Sequence, residues 1–190
     1  MINRTSTLSD EELAVRSLTK QEFFNELVHR YSEKIWRYTA RLIGNREEAE
    51  DVTQEVFFKA YVNLASFNPK LKFSSWVYRI AHNEAVNYIK KHYRYKRVEF
   101  NESIAHELFD AHTALDKLIQ IDNKDLVAKA MGQLKVREKD LLELAFFEQK
   151  SYIEISDILQ VSINSVGPLI NRAKSHLKKI LIEMRHDDKH

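Results

Sequence analysis

Arg79, Asn83, Asn87, Lys90 and Arg94 are spaced 4, 4, 3 and 4 apart, so on a helix they share one face. An Asn side chain offers a donor and an acceptor to a base edge, and Lys and Arg suit phosphates. The surrounding stretch, residues 70–97, holds eight Lys/Arg against one acid, Glu84, for a net charge of +7. It also carries Phe73, Trp76, Tyr78, Tyr88, Tyr93 and Tyr95. Aromatic rings interleaved with cations suit a surface that stacks bases and tracks a phosphate backbone. A charge run is also the ordinary mark of a solvated helix face, and Trp76 and Ile80 fit core packing as well.

A second segment has nucleic-acid-reading geometry. Tyr152–Leu159 has a helical apolar pattern, Gln160-Val161-Ser162 is a short polar break, and a longer helix follows with Val166, Leu169, Ile170, Ala173, Leu177 and Ile180 on one side. Ser165, Arg172, Lys174 and Lys178 lie mainly elsewhere on that helix. Two helices joined by a three-residue turn suggest a helix-turn-helix, although any helical hairpin has this spacing.

These groups need scaffolding, and the composition points to helices. Three Gly and two Pro in 190 residues leave little for the turns of an all-β fold. Ser9 with Glu12 reads as a capping box. Apolar residues at 23, 24, 27, 31, 35, 38 and 42 form a stripe that Gly44 ends. Asn45 caps the next helix, which carries Glu47 and Glu48 in its first turn and runs to about Ser66. Asn68-Pro69 breaks the pattern, and a third helix spans about Ser74 to Arg94. Residues 98–124 are acidic and lack a long apolar stripe, so they read as a linker with a short helix near Ala114–Ile121. A last helical block covers 125–185. The expected fold is all-α, with two small helical domains, 9–97 and 125–185, joined by an acidic tether.

Several chemistries are excluded. With no Cys there are no disulfides, thiolate zinc sites or cysteine nucleophiles. The eight His are scattered and none has a metal-ligand spacing, and there is no glycine-rich phosphate loop. No enzyme activity, metal or cofactor is therefore expected. No run approaches 18 apolar residues and residues 1–20 are not a secretory signal, so a cytoplasmic location is expected.

The chain resembles the extracytoplasmic-function (ECF) group of bacterial RNA polymerase sigma factors. The resemblance rests on AEDVTQEVFFKAY (Ala49–Tyr61), on Phe73-Ser74-Ser75-Trp76-Val77-Tyr78-Arg79-Ile80-Ala81 with Asn83, and more loosely on Leu134, Arg137, Ile153-Glu154-Ile155, Ile158-Leu159 and Arg172-Ala173-Lys174. It implies a region 2 bundle, then a linker that runs toward the RNA exit path, then a region 4 helix-turn-helix that meets the −35 region and the flap of the second-largest polymerase subunit. Asp51, Gln54, Glu55 and Phe58 match positions that grip the clamp of the largest subunit; an acidic face with an aromatic suits a basic helical partner. Ser66–Lys72 matches the loop that captures a flipped −10 base, with Phe67 to stack, Asn68 to hydrogen-bond and Lys70 and Lys72 to hold phosphate. Arg79, Asn83, Asn87, Lys90 and Arg94 would lie along the −10 strand. The family is often restrained by an anti-sigma protein. The competing function is a helix-turn-helix transcription regulator that binds DNA without polymerase.

Three departures stand out. Asn87 replaces the family's usual Asp, and Gln160 replaces the usual turn Gly. In the recognition helix, Gly167, Pro168 and Leu169 stand where the family has polar or basic residues. Pro168 predicts a helix that starts late, near Asn164 or Ser165, or kinks. The −35 contacts are then expected to be weak, altered or replaced. A separate DNA-targeting protein, for example an RNA-guided one, would supply the missing address.

Overall fold

The computed structural model describes residues 7–92 and 124–187, and every statement of structure below concerns those residues. The expected linker at 98–123, its short helix, Arg94, Tyr93 and Tyr95 lie outside them. Eight α-helices and no strand are present among the described residues. The N-terminal block contains α1 (Asp10–Ser17), α2 (Gln21–Ile43), α3 (Arg46–Val62), a 3₁₀ turn (Leu64–Ser66) and α4 (Phe73–His92). The C-terminal block contains α5 (Lys124–Gln133), α6 (Val136–Leu142), a π-helical turn (Glu143–Phe147), α7 (Tyr152–Leu159) and α8 (Ile163–Asp187).

The caps follow the chain's own signals. Ser9 and Glu12 exchange both hydrogen bonds of a capping box, at 3.1 and 3.0 Å. Gly44 closes α2 with φ of 82°, a left-handed conformation that glycine adopts without strain. Asn45 accepts from the Glu48 amide at 3.2 Å and opens α3. The α2 stripe buries Phe24, Leu27, Tyr31, Ile35, Tyr38 and Leu42 against α1, α3 and α4.

Three expectations change here. Three aromatics of the basic segment are structural: Phe73 and Tyr78 are fully buried, and Trp76 packs against Phe73 and Phe67 at 5.6 and 5.4 Å between ring centroids. Apolar rings on the inner side of an amphipathic helix gain more from burial than from waiting for a base. Secondly, α8 starts one residue ahead of the expected Asn164. It begins at Ile163 and carries Pro168 in its second turn. Proline lacks the N–H that would donate to the Asn164 carbonyl, and Asn164 is exposed, so water can satisfy that oxygen. Thirdly, the two blocks are not merely tethered. They dock, with α7 lying on α4 and α6 touching α2, and their buried apolar residues join one core.

The helix-turn-helix turn has the expected local cost. Gln160 ends α7 with φ of 52° and ψ of 47°. A side chain in that region crowds its own carbonyl. The Gln160 amide partly compensates by donating to the Asp157 carbonyl at 2.7 Å.

Candidate nucleic-acid interface

Helix α3 turns Asp51, Gln54, Glu55 and Phe58 to the same side, and all four are exposed. Phe58 is 63% exposed, and Tyr61 and Val62 extend the apolar end of this face. Solvent contact on that scale by three neighbouring apolar side chains marks a docking surface more readily than a solvated helix back. Glu55 pairs with Lys59 at 3.4 Å, and Lys59 reaches across to Glu84 of α4 at 2.6 Å. Glu84, with help from Glu55, holds the Lys59 ammonium above its usual range. This bridge fixes α3 against α4.

A groove of about 300 Å³ runs between these two helices, lined by Asp51, Val52, Glu55, Glu84, Asn87, Tyr88, Lys91 and His92. The acidic face of α3 and the Asn-rich face of α4 are therefore its two banks. On α4, Asn83, Asn87 and Lys90 are exposed together, as the spacing predicts. Arg79 is only half-exposed and its buried Nε has no hydrogen-bond partner.

The loop before α4 is built differently from its expected role. Phe67 is 8% exposed and its ring meets Phe73 edge-on at 5.6 Å. It anchors the loop to the core and has no free face for a base. Asn68 accepts from the Lys70 amide at 3.0 Å, a local turn that leaves Asn68 and Lys70 exposed. Glu11 accepts from the Phe73 amide at 3.0 Å and so caps the start of α4. A second groove of about 330 Å³ lies beside this loop. Its walls include Lys70 and Lys72 from the loop, Asp10 and Glu11 from α1, and Glu154 from α7. Lys72 is ion-paired with Glu154 at 3.2 Å.

In the C-terminal block Ser165, Arg172 and Lys178 are exposed. Lys174 is half-buried, with its ammonium 5.9 Å from the centre of the Phe146 ring. Near the start of α8, Tyr152, Ile153 and Ile163 are exposed, and Tyr152 packs over Gly167. No basic side chain occurs on α8 before Arg172.

Sequence reasoning missed the groups between the blocks. Arg41 is 4% exposed; its Nε donates to Glu143 at 2.5 Å, and a second nitrogen donates to Glu148. The guanidinium also lies 5.2 Å from the Phe147 ring centre. Tyr38 donates to Asp140 at 2.6 Å, His82 contacts the other Asp140 oxygen at 2.5 Å, and Tyr78 donates to Glu148. Burial, and then the neighbouring carboxylates, hold both tyrosines far above their ordinary range. Lys139 is buried and reaches the Leu42 carbonyl at 3.4 Å. A signal for two of these groups exists: Arg41 interrupts the run Tyr38–Ile43 and Glu143 the run Leu141–Phe147, with Asp140 directly before the second. A charge so placed is buried with a partner or not buried at all.

Residues 27–95 match the Sigma-70 region 2 family, and residues 124–177 match Sigma-70 region 4. The ECF RNA polymerase sigma factor SigW of Bacillus subtilis is 30% identical over 171 residues, which cover 86% of this chain and 91% of SigW. The chain belongs to the ECF group of RNA polymerase sigma factors. The ECF sigma-E factor of Escherichia coli strain K12 is 30% identical over 175 residues, 88% of this chain and 91% of that protein. The fold agrees: CnrH, solved in complex with the cytosolic domain of CnrY, superposes with a TM-score of 0.67 at 24% identity over 92% of this chain and 97% of CnrH. As a sigma factor the chain directs core polymerase to promoters and catalyses nothing itself. Among the described residues no helix is long and apolar enough to cross a membrane, and no group of three potential ligands could hold a metal.

Proposed function

We propose that this ECF sigma factor grips the polymerase clamp through Asp51, Gln54, Glu55 and Phe58 and reads the −10 strand through Asn68, Lys70, Lys72, Asn83, Asn87, Lys90 and Arg94. The observation that carries the reading is the joint exposure of the α3 face beside the Asn-rich α4 face. Residues 9–97 serve polymerase binding, −10 recognition and melting, 98–124 connect, and 125–185 meet the −35 region and the flap. Phe67 and Arg79 support this surface from behind. A regulator acting without polymerase has no use for the α3 face, so that reading is not favoured. The protein works in the cytoplasm and needs no cofactor of its own. An anti-sigma protein restrains it, as the solved complex of the Bartonella quintana sigma factor RpoE with the anti-sigma factor NepR illustrates for a relative of the same fold (TM-score 0.62, 20% identical, over 83% of this chain and 96% of that one).

The −35 interaction is weakened or replaced. Gly167, Pro168 and Leu169 supply no cation where α8 would enter the major groove, and binding to DNA weakens with every phosphate left without a cationic partner. Tyr152 and Ile163 make that end apolar, which suits a protein contact with a separate DNA-targeting partner. Retention of core RNA polymerase tests the central reading. Wild type should be retained and Asp51→Ala/Glu55→Lys should not, with both proteins equally helical. Equal failure of the two would return the regulator reading.

A further inference from the structure

Phe67 is committed to the core, but a second pair of rings stands at the other end of α4. Tyr88 and His92, one turn apart, stack with their ring centroids 4.0 Å apart and their planes inclined by 23°. Both rings are held in place. The Tyr88 hydroxyl donates to Glu48 of α3, and the His92 Nδ1–H donates to the Tyr88 carbonyl at 3.0 Å. Tyr88 is half-buried against the core, whereas His92 is exposed. An exposed imidazole at a helix end buries little apolar area, so core packing does not account for the stack.

Both rings line the groove of about 300 Å³ between α3 and α4, a volume at the small end for sites that take organic ligands. The rest of its lining is selective. Asp51, Glu55 and Glu84 are acidic, so a phosphate is repelled from the groove itself. Glu84 gives its Oε2 to Lys59 at 2.6 Å, which leaves Oε1 to accept a further hydrogen bond. A carboxylate accepts from the exocyclic amine of cytosine, whereas thymine presents a carbonyl oxygen at the corresponding position. Lys91 lines the same groove and is exposed, which offers a cation to a strand passing outside. A stacking platform beside a backbone-tracking cation is the usual equipment of a single-strand site.

We infer that the α3–α4 groove takes one unstacked base of the opened strand, stacked on Tyr88 and His92 and selected for an exocyclic amine by Glu84. Lys91 holds the phosphate beside it. The site is separate from the loop at 66–72 and adds a second base to what that loop captures. This rests on the assignment of α4 to the −10 strand above.

The probes are fluorescent single strands of equal length: all cytosine, all thymine, and an abasic strand that keeps every phosphate and lacks every base. Anisotropy is read with the full-length protein on core polymerase, and core polymerase alone gives the baseline. The parent should bind the all-cytosine strand about fivefold more tightly than the all-thymine strand. Tyr88→Leu and His92→Ala should each weaken binding of the all-cytosine strand by roughly fivefold or more and leave the abasic strand unchanged. Tyr88→Phe keeps the ring and should bind within about twofold of the parent. Glu84→Ala, at parental helicity, should erase the preference for cytosine. Parental affinity for the all-cytosine strand in His92→Ala would overturn the inference, and this exposed position decides the matter even where Tyr88→Leu fails to fold. An equal loss on the abasic strand would overturn it too, because the rings would then be serving the phosphates. So would a parent that binds cytosine and thymine strands equally. A parent that adds nothing to core polymerase on any strand sinks the −10 assignment instead and is read separately.

Discussion

Substitution of Arg41 by Met tests whether the two blocks are one cooperative unit in solution. Arg41 lies 102 residues from Glu143 and 107 from Glu148, in the other block. Docked, its guanidinium donates to one oxygen of the Glu143 carboxylate, and the second oxygen is buried without a hydrogen-bond partner among the described residues. Burial already pushes the Glu143 carboxyl above its ordinary range, against the pull of Arg41 and Lys139. Met fills much of the volume and supplies no charge. Removing one member of a buried ion pair costs about 3–5 kcal/mol, because the other charge is stranded. That is a large share of the roughly 5–15 kcal/mol that holds a domain folded. With a urea dependence of about 2 kcal/mol per molar, a loss of ~4 kcal/mol lowers the midpoint by about 2 M.

The assay is urea unfolding followed by circular dichroism, with Arg41→Met/Glu143→Leu as the control. Apolar replacement of both partners removes the stranded charge, so the double variant should recover part of the loss. In an undocked chain Arg41 would sit in water on α2, and its removal would cost no more than an exposed ion pair, about 0–1 kcal/mol. A loss below about 1 kcal/mol, or two separate transitions in the parent, would refute the docked arrangement.

Three further outcomes are expected. Burial pushes Lys139 down to about 8, so between pH 8 and about 9.5 the unfolded chain binds a proton that the folded chain has released, and stability should rise by up to about 2 kcal/mol. Above about pH 10 the buried tyrosines reverse the trend, because their unfolded forms ionise first; thermal melts across pH should show the rise, and Lys139→Met should abolish it. Phe67→Ala should cost about 3–5 kcal/mol of stability, while Asn68→Ala stays within about 1 kcal/mol, so a DNA-binding defect in Asn68→Ala alone reads out the loop rather than the core. Gln160→Val should melt well below Gln160→Gly, by about 1–2 kcal/mol, because a β-branched side chain resists the left-handed turn; equal melting temperatures would contradict the observed backbone there.

The parts of this molecule that are legible in its sequence are those set by local rules. The caps at Ser9, Gly44 and Asn45, the α2 stripe and the exposed row Asn83, Asn87 and Lys90 depend on spacing within one helix. The acidic row of α3 is legible for the same reason. Phe67, Phe73 and Tyr78 pass for a stacking surface because aromatic rings look alike in a sequence whether they line a core or await a base. Their neighbours decide, and Tyr31, Trp76 and Tyr38 come from other positions in the chain. Pro168 misleads because helix ends depend on the turn before them. Ser162 starts α8 early, with the Ser165 amide on its carbonyl at 2.9 Å, and the helix tolerates the proline one turn in.

The seam between the blocks holds charges of both signs that the chain's near-neutral total does not reveal. Arg41 and Lys139 are buried cations, and Glu143 and the largely buried Glu148 are carboxylates paired with Arg41. They cancel one another in the interior. The π turn at 143–147 contributes directly: its amide bond from Glu148 back to the Glu143 carbonyl, at 2.9 Å, widens one helical turn and aims both carboxylates at one guanidinium. Straightening that turn would move Glu148 by most of a residue and leave Tyr78 or Arg41 without its acceptor. The ionic seam therefore depends on a local distortion of the helix that follows α6. A chain that needed only a tether would have no reason to keep either.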